Sequence, residues 1–102
     1  MEASATTFLD SVLSQWHTQE AALLNVGLRA RILPNKERKY LGIEVEGPRH
    51  IASIQVWENA CCLDIMVMDT ASKESTWVCA GPCASLAEAH SRLAVLTHIL
   101  LA

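Results

Sequence analysis

The middle of the chain, residues 50–69, alternates apolar and polar positions in two runs that a short polar pair separates. Glu58 and Asn59 form that pair, and β-branched runs punctuated in this way predict a β-hairpin. Strand side chains point alternately to opposite sides of a sheet, so each arm has one aliphatic face and one mixed face. The aliphatic face carries Ala52, Ile54, Val56, Leu63, Ile65 and Val67. The mixed face carries Ser53, Gln55, Trp57, Cys62, Asp64, Met66 and Met68.

Two runs before the hairpin, residues 26–33 and 39–46, also alternate and predict two more strands. If these strands pair antiparallel, their outward charges oppose one another, and each such pair contributes roughly 0.2–1 kcal/mol. The charges concerned are Arg29, Arg31, Glu44 and Glu46. After the hairpin, residues 75–80 show a weaker pattern that predicts a fifth strand.

The N-terminal region has the spacing of an amphipathic helix over residues 4–24. Ser4 and Thr6 are candidate N-cap residues for this helix. Its apolar stripe comprises Phe8, Leu9, Val12, Leu13, Trp16, Leu23 and Leu24.

A second helix is predicted from Leu86 to about Leu101. Ser85 and Glu88 have the spacing of a capping box, in which the two residues satisfy amides at the start of a helix. The apolar stripe of this helix comprises Leu86, Ala89, Leu93, Leu96 and Leu100.

Together these elements give the order α-β-β-β-β-β-α in a single domain that spans residues 1–102. The connections are short, so we expect the five strands to form an antiparallel meander. The two terminal helices should pack together on one face of the sheet, because the aliphatic side chains there need a cover. The predicted fold is therefore a two-layer α+β sandwich whose other sheet face stays open.

The composition is that of a globular protein, with 51% apolar and 19% charged residues. The net charge of −3 argues against a nucleic-acid partner and suits a basic protein partner. The first residues contain no basic segment, and no run reaches the roughly 18–20 apolar residues that a membrane helix needs. We therefore expect no signal peptide, no membrane partner and a cytoplasmic location.

Four cysteines stand at positions 61, 62, 79 and 83. In the cytosol they should be free thiols. A zinc site usually has two CxxC-type pairs, and neither the adjacent Cys61 and Cys62 nor the pair Cys79 and Cys83 has that spacing. A nucleophilic thiol needs an electropositive setting, which the nearby Asp64 opposes. We therefore expect thiols that serve the core, and no metal.

No combination of residues points to catalysis. The four histidines, at positions 17, 50, 90 and 98, are dispersed, and none has a carboxylate or thiol at a useful spacing. The chain also has no glycine-rich phosphate loop, no nucleophile elbow and no HExxH motif. We expect a protein that is not an enzyme and that uses no cofactor.

The mixed face of the hairpin is the strongest candidate for a functional surface. Two interpretations of Trp57 remain open, since it either fills a gap under a loop or belongs to a binding surface. In the second case it clusters with Asp64, Met66 and Met68 beside Gln55. Aromatic residues and methionine are enriched at interfaces, and a carboxylate beside them can pair with an arginine or lysine of the partner. An open mixed face of this kind predicts a protein-binding module.

Several short motifs resemble those of the TriTu immunity proteins. They lie in LGIEVEGPRH and in the segment that follows it, IASIQVWENACCLDIMVMDTASKE. The matching features are the Glu-Gly-Pro turn at 46–48, Val56-Trp57-Glu58, Leu63-Asp64 and the Asp69-Thr70 turn. The flanking helices agree in position, so the resemblance extends over most of the chain. The family usually has a glycine in the central turn and one cysteine before Leu-Asp, where this chain has Asn59-Ala60 and Cys61-Cys62.

The resemblance implies both a function and a partner. TriTu immunity proteins are small cytosolic bacterial proteins encoded beside polymorphic toxins, including Rhs-type effectors of type VI secretion. The namesake's toxin is an ADP-ribosyltransferase that modifies elongation factor Tu, and the immunity protein binds that domain and blocks its cleft. The resemblance gives a partner-binding role to Trp57, Glu58, Asp64 and Asp69. The physical pattern of the mixed face adds Gln55, Met66 and Met68.

The leading hypothesis is an immunity protein that binds and neutralises a cognate toxin domain, as a monomer or weak homodimer. The alternative is a small acidic secretion chaperone or adaptor protein, for which dimerisation and a non-globular client are expected. A third class, a thiol or metal enzyme that uses the cysteines, predicts bound zinc or a thiol of low pKa.

Overall fold

The computed structural model describes residues 7–101, which form two helices and five strands in the predicted order. Helix α1 spans Phe8–Asn25, and helix α2 spans Leu86–Leu101. Strands β1 to β5 span, in order, Arg29–Asn35, Tyr40–Glu46, His50–Trp57, Cys62–Asp69 and Ser75–Cys79. A 3₁₀ turn at Asn59–Cys61 joins β3 to β4.

The strands pair in sequence order as one antiparallel sheet, which confirms the predicted meander and its fifth strand. Between β1 and β2 the register sets Arg29 opposite Glu46 and Arg31 opposite Glu44, as the alternating charges predict. The β4–β5 pairing is less regular, because the register shifts after Val67. The result is an open sheet with β1 and β5 at its edges.

The aliphatic face of the sheet lies beneath both helices and forms the core. All six predicted aliphatic positions of the hairpin are at most 1% exposed. The helices contribute Phe8, Val12, Trp16, Leu23, Ala89, Leu93, Leu96 and Leu100. The prediction of buried stripes is wrong for two residues, since Leu24 is 51% and Leu86 is 45% exposed. Leu24 is turned about 100° around α1 from the buried Leu23, and Leu86 is the first residue of α2.

The helix starts differ in detail from those expected. Helix α1 begins after Thr7, whose hydroxyl accepts a hydrogen bond from the Asp10 amide at 3.1 Å. The candidate caps Ser4 and Thr6 lie outside the described residues. At α2 the Ser85 hydroxyl accepts from the Glu88 amide at 3.2 Å, as in a capping box. The Glu88 carboxylate, however, accepts from the amide of Ala84 at 2.7 Å, one residue before the expected partner.

Glu58 joins the tip of the hairpin to the start of α1. Its two carboxylate oxygens accept hydrogen bonds from the amides of Phe8 at 3.2 Å and Leu9 at 2.9 Å. These amides have no partner inside the helix, and the helix dipole favours a negative charge beside them. A side chain that lies 49 residues from Leu9 in the sequence therefore completes the N-terminal cap.

The turn between β3 and β4 contains two consecutive residues in the left-handed region, Ala60 at φ 68° and Cys61 at φ 46°. This conformation costs a residue with a side chain about 1–2 kcal/mol, and glycine adopts it readily. Two features maintain this strained backbone conformation. The β3–β4 ladder begins at the pair Trp57 and Cys62, and the Cys61 amide donates to the Glu58 carbonyl at 3.2 Å.

Arg92 fastens α2 to the sheet. One guanidinium nitrogen, Nη1, donates to the carbonyl oxygens of Leu63 at 2.8 Å and Gly81 at 2.9 Å. The other, Nη2, donates to the carbonyl of Pro82 at 3.2 Å and to the Glu88 carboxylate at 2.7 Å. The Arg92 side chain is only 12% exposed, so these bonds replace water that the burial removes. They fix the loop between β5 and α2 against the start of β4.

We expect Glu58→Ala to lower the free energy of unfolding by about 1–2 kcal/mol, because two amides of α1 lose a charged acceptor. Denaturation by urea, followed by circular dichroism, measures the change. Glu37→Ala, at an exposed turn position, is the matched control and should change stability by less than about 0.5 kcal/mol. Equal losses in the two variants would contradict a capping role for Glu58.

We expect Ala60→Gly to raise the free energy of unfolding by about 0.5–1 kcal/mol, because relief of the left-handed strain exceeds the added entropy of the unfolded chain. The control is Ala71→Gly in the exposed β4–β5 turn, where φ is negative and the same change should destabilise by about 0.4–1 kcal/mol. Thermal and urea unfolding of both variants measure the two opposite signs. Destabilisation by Ala60→Gly would contradict the assigned strain.

Candidate protein-binding face

The sheet face that points away from both helices, here called the open face, carries every second side chain of the strands. Along β3 and β4 its residues alternate with side chains that are fully buried beneath the helices. Within residues 7–101 both helices lie on the opposite side, so the open face has no layer above it. It is therefore accessible to a partner.

Four neighbouring apolar side chains on the open face form what we call the apolar patch: Ile51, Met66, Met68 and Val78. Ile51 lies opposite Met68, and Met66 lies opposite Val78. Opposite residues of a ladder bring their Cβ atoms to about 4.5–5.5 Å, so the members of each pair are in reach of each other, and Met66 and Met68 join the two pairs along one face of β4. Ile51 and Met66 are 42% exposed and Val78 is 55% exposed. Contiguous exposed apolar side chains mark interaction sites, and methionine adapts its shape to a partner.

An aromatic pair occupies the other end of the open face. Tyr40 and Trp57 are opposite each other in the β2–β3 ladder, with ring centroids 5.2 Å apart and planes tilted by 51°. The tyrosine ring lies over Gly42, where a Cβ atom would be only 3.0 Å from Tyr40 Oη. A pair of this kind contributes about 0.5–1.5 kcal/mol beyond its burial. Trp57 thus packs on Tyr40 and remains partly accessible on the open face.

The β1–β2 side of the open face is charged. Its charged strip consists of Arg29, Arg31, Glu44 and Glu46 in two opposed pairs. The Arg31 guanidinium donates to the Glu44 carboxylate, and both side chains are largely exposed. Exposed ion pairs contribute about 0–1 kcal/mol to stability, so the charged strip adds little to the fold. Its charges are accessible to a partner.

A small depression of about 210 Å³ lies beside the apolar patch, on the side of the open face formed by β3, β4 and β5. Its lining includes Gln55, Asp64, Met66 and Val78, and we call it the Asp64 depression. Asp64 Oδ1 accepts hydrogen bonds from the Gly81 amide at 2.8 Å and from the Cys62 thiol at 3.5 Å. These bonds hold the carboxylate in place at the wall of the depression.

The structure brings five of the seven predicted partner-binding residues onto the open face, namely Gln55, Trp57, Asp64, Met66 and Met68. The other two lie elsewhere. Glu58 caps α1 with both of its oxygens. Asp69 lies at the end of β4, where Oδ1 accepts from the amides of Ala71 and Ser72, each at 2.9 Å. Both carboxylates therefore serve the structure of the chain itself.

The turn residues named by the resemblance also hold the fold together. Thr70 Oγ1 donates to the Pro48 carbonyl at 2.9 Å, and the Thr70 amide donates to the Arg49 carbonyl at 3.0 Å. The Glu-Gly-Pro turn and the Asp69-Thr70 turn are thereby joined at one end of the sheet. The pKa of Asp69 lies below its ordinary value, chiefly because the Ser72 and Ala71 amides donate to its carboxylate.

Two residues of the apolar patch, Ile51 and Val78, were not among the predicted site residues. The alternation of β3 already points to Ile51, because it shares the parity of Gln55 and Trp57. Val78 could not be placed from the sequence, because the register of β5 shifts after Val67 and so does not follow from the turn alone.

The four cysteines are free thiols, and three of them lie near the junction of β4, β5 and α2. Burial raises the pKa of the Cys83 thiol, which is packed in the core. Burial, assisted by the neighbouring Asp64, raises the pKa of Cys62. A nucleophilic cysteine needs the opposite shift, so these two thiols are suited to packing.

The described residues contain neither a group that could hold a metal ion nor a helix that could span a membrane. No group of three or more His, Cys, Asp or Glu side chains within residues 7–101 is arranged to hold a metal ion. In the same part of the chain neither helix is long and apolar enough to span a bilayer. Comparison of the chain with protein-family models, curated proteins and solved structures finds no match. Function is therefore inferred from the chemistry of the open face.

We expect the contribution of Asp69 to stability to decrease in acid. Its folded pKa is below the ordinary value of 3.8, so the stabilisation is complete above that pH and is lost as the pH falls through the folded pKa. The difference in unfolding free energy between wild type and Asp69→Ala should be constant from neutral pH down to about pH 5 and should narrow at lower pH. Urea unfolding at a series of pH values measures it. A difference that persists unchanged at about pH 2 would contradict this assignment.

Proposed function

We propose that this protein is an immunity protein that binds a cognate secreted toxin domain and neutralises it by occluding its active site. The observation that carries the proposal is the open face, which presents an exposed apolar patch, a partly buried tryptophan and a charged strip. A protein-binding surface has this anatomy, with an apolar centre and a polar rim. The protein acts by stoichiometric binding and performs no chemistry of its own.

In this proposal, different side chains of the open face determine the affinity and the rate of association. Trp57 and Met66 are the anchors, because large apolar side chains that lose water on binding carry most of the affinity of an interface. The charged strip and Asp64 contribute chiefly to the rate of association and to the choice of partner. The net charge of −3 favours a toxin domain with a basic surface around its cleft.

The class of partner comes from the resemblance to the TriTu immunity proteins. By this resemblance, the toxin is an ADP-ribosyltransferase effector of the Rhs type that is delivered by type VI secretion. The immunity protein then acts in the cytoplasm. The contacts are assigned to the predicted residues that share the open face and to the two that complete the apolar patch. They are Gln55, Ile51, Trp57, Asp64, Met66, Met68 and Val78.

Co-expression tests the proposal directly. The toxin domain encoded immediately upstream of this chain's gene is produced in a bacterial host with and without the chain, and survival and co-purification are measured. Rescue together with a one-to-one complex in light scattering supports immunity. A soluble, folded chain that gives no rescue, and that instead dimerises and holds a non-globular client, would overturn it in favour of a secretion chaperone or adaptor.

We expect Ile51→Arg to weaken binding of the toxin domain by about tenfold or more, because it introduces a charge into the apolar patch. Val95→Arg on α2 is the matched control, since Val95 is also β-branched and also 42% exposed but lies on the helical layer. Calorimetry or surface binding on the purified complex measures both affinities. Equal affinities for the two variants would move the binding surface away from the open face.

A further inference from the structure

The Asp64 depression has the size of a site for one side chain. Its volume of about 210 Å³ is below the roughly 300–1,000 Å³ of sites that hold a whole small molecule. Met66 and Val78 supply an apolar wall, while Asp64 and Gln55 supply polar atoms. An occupant of this site needs an apolar stem and a polar, positively charged end.

Asp64 is the carboxylate of the predicted site that can meet such a group. Glu58 has both oxygens bonded to α1. Asp69, whose Oδ1 accepts from the amides of its own turn, lies at the end of β4 and does not line the depression. At Asp64 only Oδ1 is engaged, by the Gly81 amide and the Cys62 thiol, and no group within residues 7–101 donates to Oδ2. A carboxylate offers about four lone-pair positions, so it retains the capacity for further strong hydrogen bonds.

Gln55 places a second acceptor beside this carboxylate. It lies directly opposite Asp64 in the β3–β4 ladder, which brings the two Cβ atoms to about 4.5–5.5 Å. Gln55 is exposed, and its amide makes no hydrogen bond within residues 7–101. Its carbonyl oxygen can therefore turn toward a donor that is already held by Asp64.

We infer that the Asp64 depression receives one arginine side chain from the toxin domain. The inference rests on the proposed function, since it names the chemistry by which that partner is recognised. The aliphatic stem of the arginine lies along Met66 and Val78, as long cationic side chains do on apolar surfaces. The guanidinium donates to Asp64 Oδ2 and to the carbonyl oxygen of Gln55.

Arginine fits these acceptors better than lysine does. A guanidinium presents five donors in a planar fork, so it spans two acceptors that lie side by side. An ammonium group is a compact, strongly hydrated point charge without that planar fork, so it matches two acceptors side by side less well. A carboxylate from the partner would be repelled by Asp64.

The test uses the full chain and small probes, without any toxin. Nα-acetylarginine amide, the lysine analogue and the neutral citrulline analogue are titrated separately while amide and methionine-methyl signals are followed by NMR. We expect saturable shifts at Gln55, Asp64 and Met66 for the arginine probe, with binding in the millimolar range. The citrulline and lysine probes should bind about fivefold more weakly or worse, since each lacks the charge or the fork.

Asp64→Asn is the informative variant, because its amide oxygen can still accept from Gly81 while the charge is removed. It should weaken the arginine probe by about fivefold or more. Glu37→Gln, which removes one charge from the exposed turn between β1 and β2, is the control and should leave the affinity within about twofold.

Three results would overturn the inference: no saturable shift at the depression, equal binding of the citrulline or lysine probe, or unchanged binding to Asp64→Asn. The failure of the proposed function is a separate result. If the chain does not rescue cells from the toxin, the immunity function is wrong, but the probe titration still reports whether the depression binds arginine. If Ile51→Arg dissociates the toxin complex and Asp64→Asn does not, the open face keeps its role and the arginine contact is wrong.

Discussion

The structure depends on the burial of one aliphatic face of the β3–β4 hairpin beneath two helices. Six alternating side chains of that hairpin are withdrawn from water almost completely, and each large one contributes roughly 1.5–3 kcal/mol. Because the side-chain period of a strand is two, this burial also fixes which residues face outward. The open face is therefore a direct product of the core: the same register that hides Ile54 and Ile65 presents Gln55, Asp64 and Met66.

Most of this fold could be predicted from the sequence, because its signals are local and periodic. The alternation in 39–46 and 50–69 gave the correct faces, and opposed charges gave the pairing of Arg31 with Glu44. The end of the α1 stripe was missed because helical periodicity does not reveal where a helix leaves the sheet, so Leu24 was expected inside. The role of Glu58 in capping α1 was not predicted, because Glu58 and Phe8 are 50 residues apart. Capping motifs in a sequence relate residues only a few positions apart.

The candidate site was predicted in part, and its carboxylates show why. Gln55, Met66 and Met68 lie on the open face, because strand parity decides the matter. An acidic residue at a turn, by contrast, is equally suited to a partner's arginine and to a backbone amide of its own chain. Which of the two it binds depends on the turn geometry, and Asp69 takes the amides of Ala71 and Ser72. Of the three carboxylates, Asp64 is the one that is bonded to its own chain through one oxygen and also lines the depression on the open face.

The positions of the two helices along the sequence also shape how the chain reaches this structure. Each strand pairs with its immediate neighbour across a short turn, whereas the Thr97 hydroxyl donates to Gln19 across 78 residues. The entropy lost in closing a loop grows with its length, so formation of the hairpins is favoured over the docking of α2 on α1. Until the helices dock, the aliphatic face is exposed to water and to other nascent chains. Because α2 follows the sheet in the chain, that face stays open to aggregation until α2 has been made and has docked.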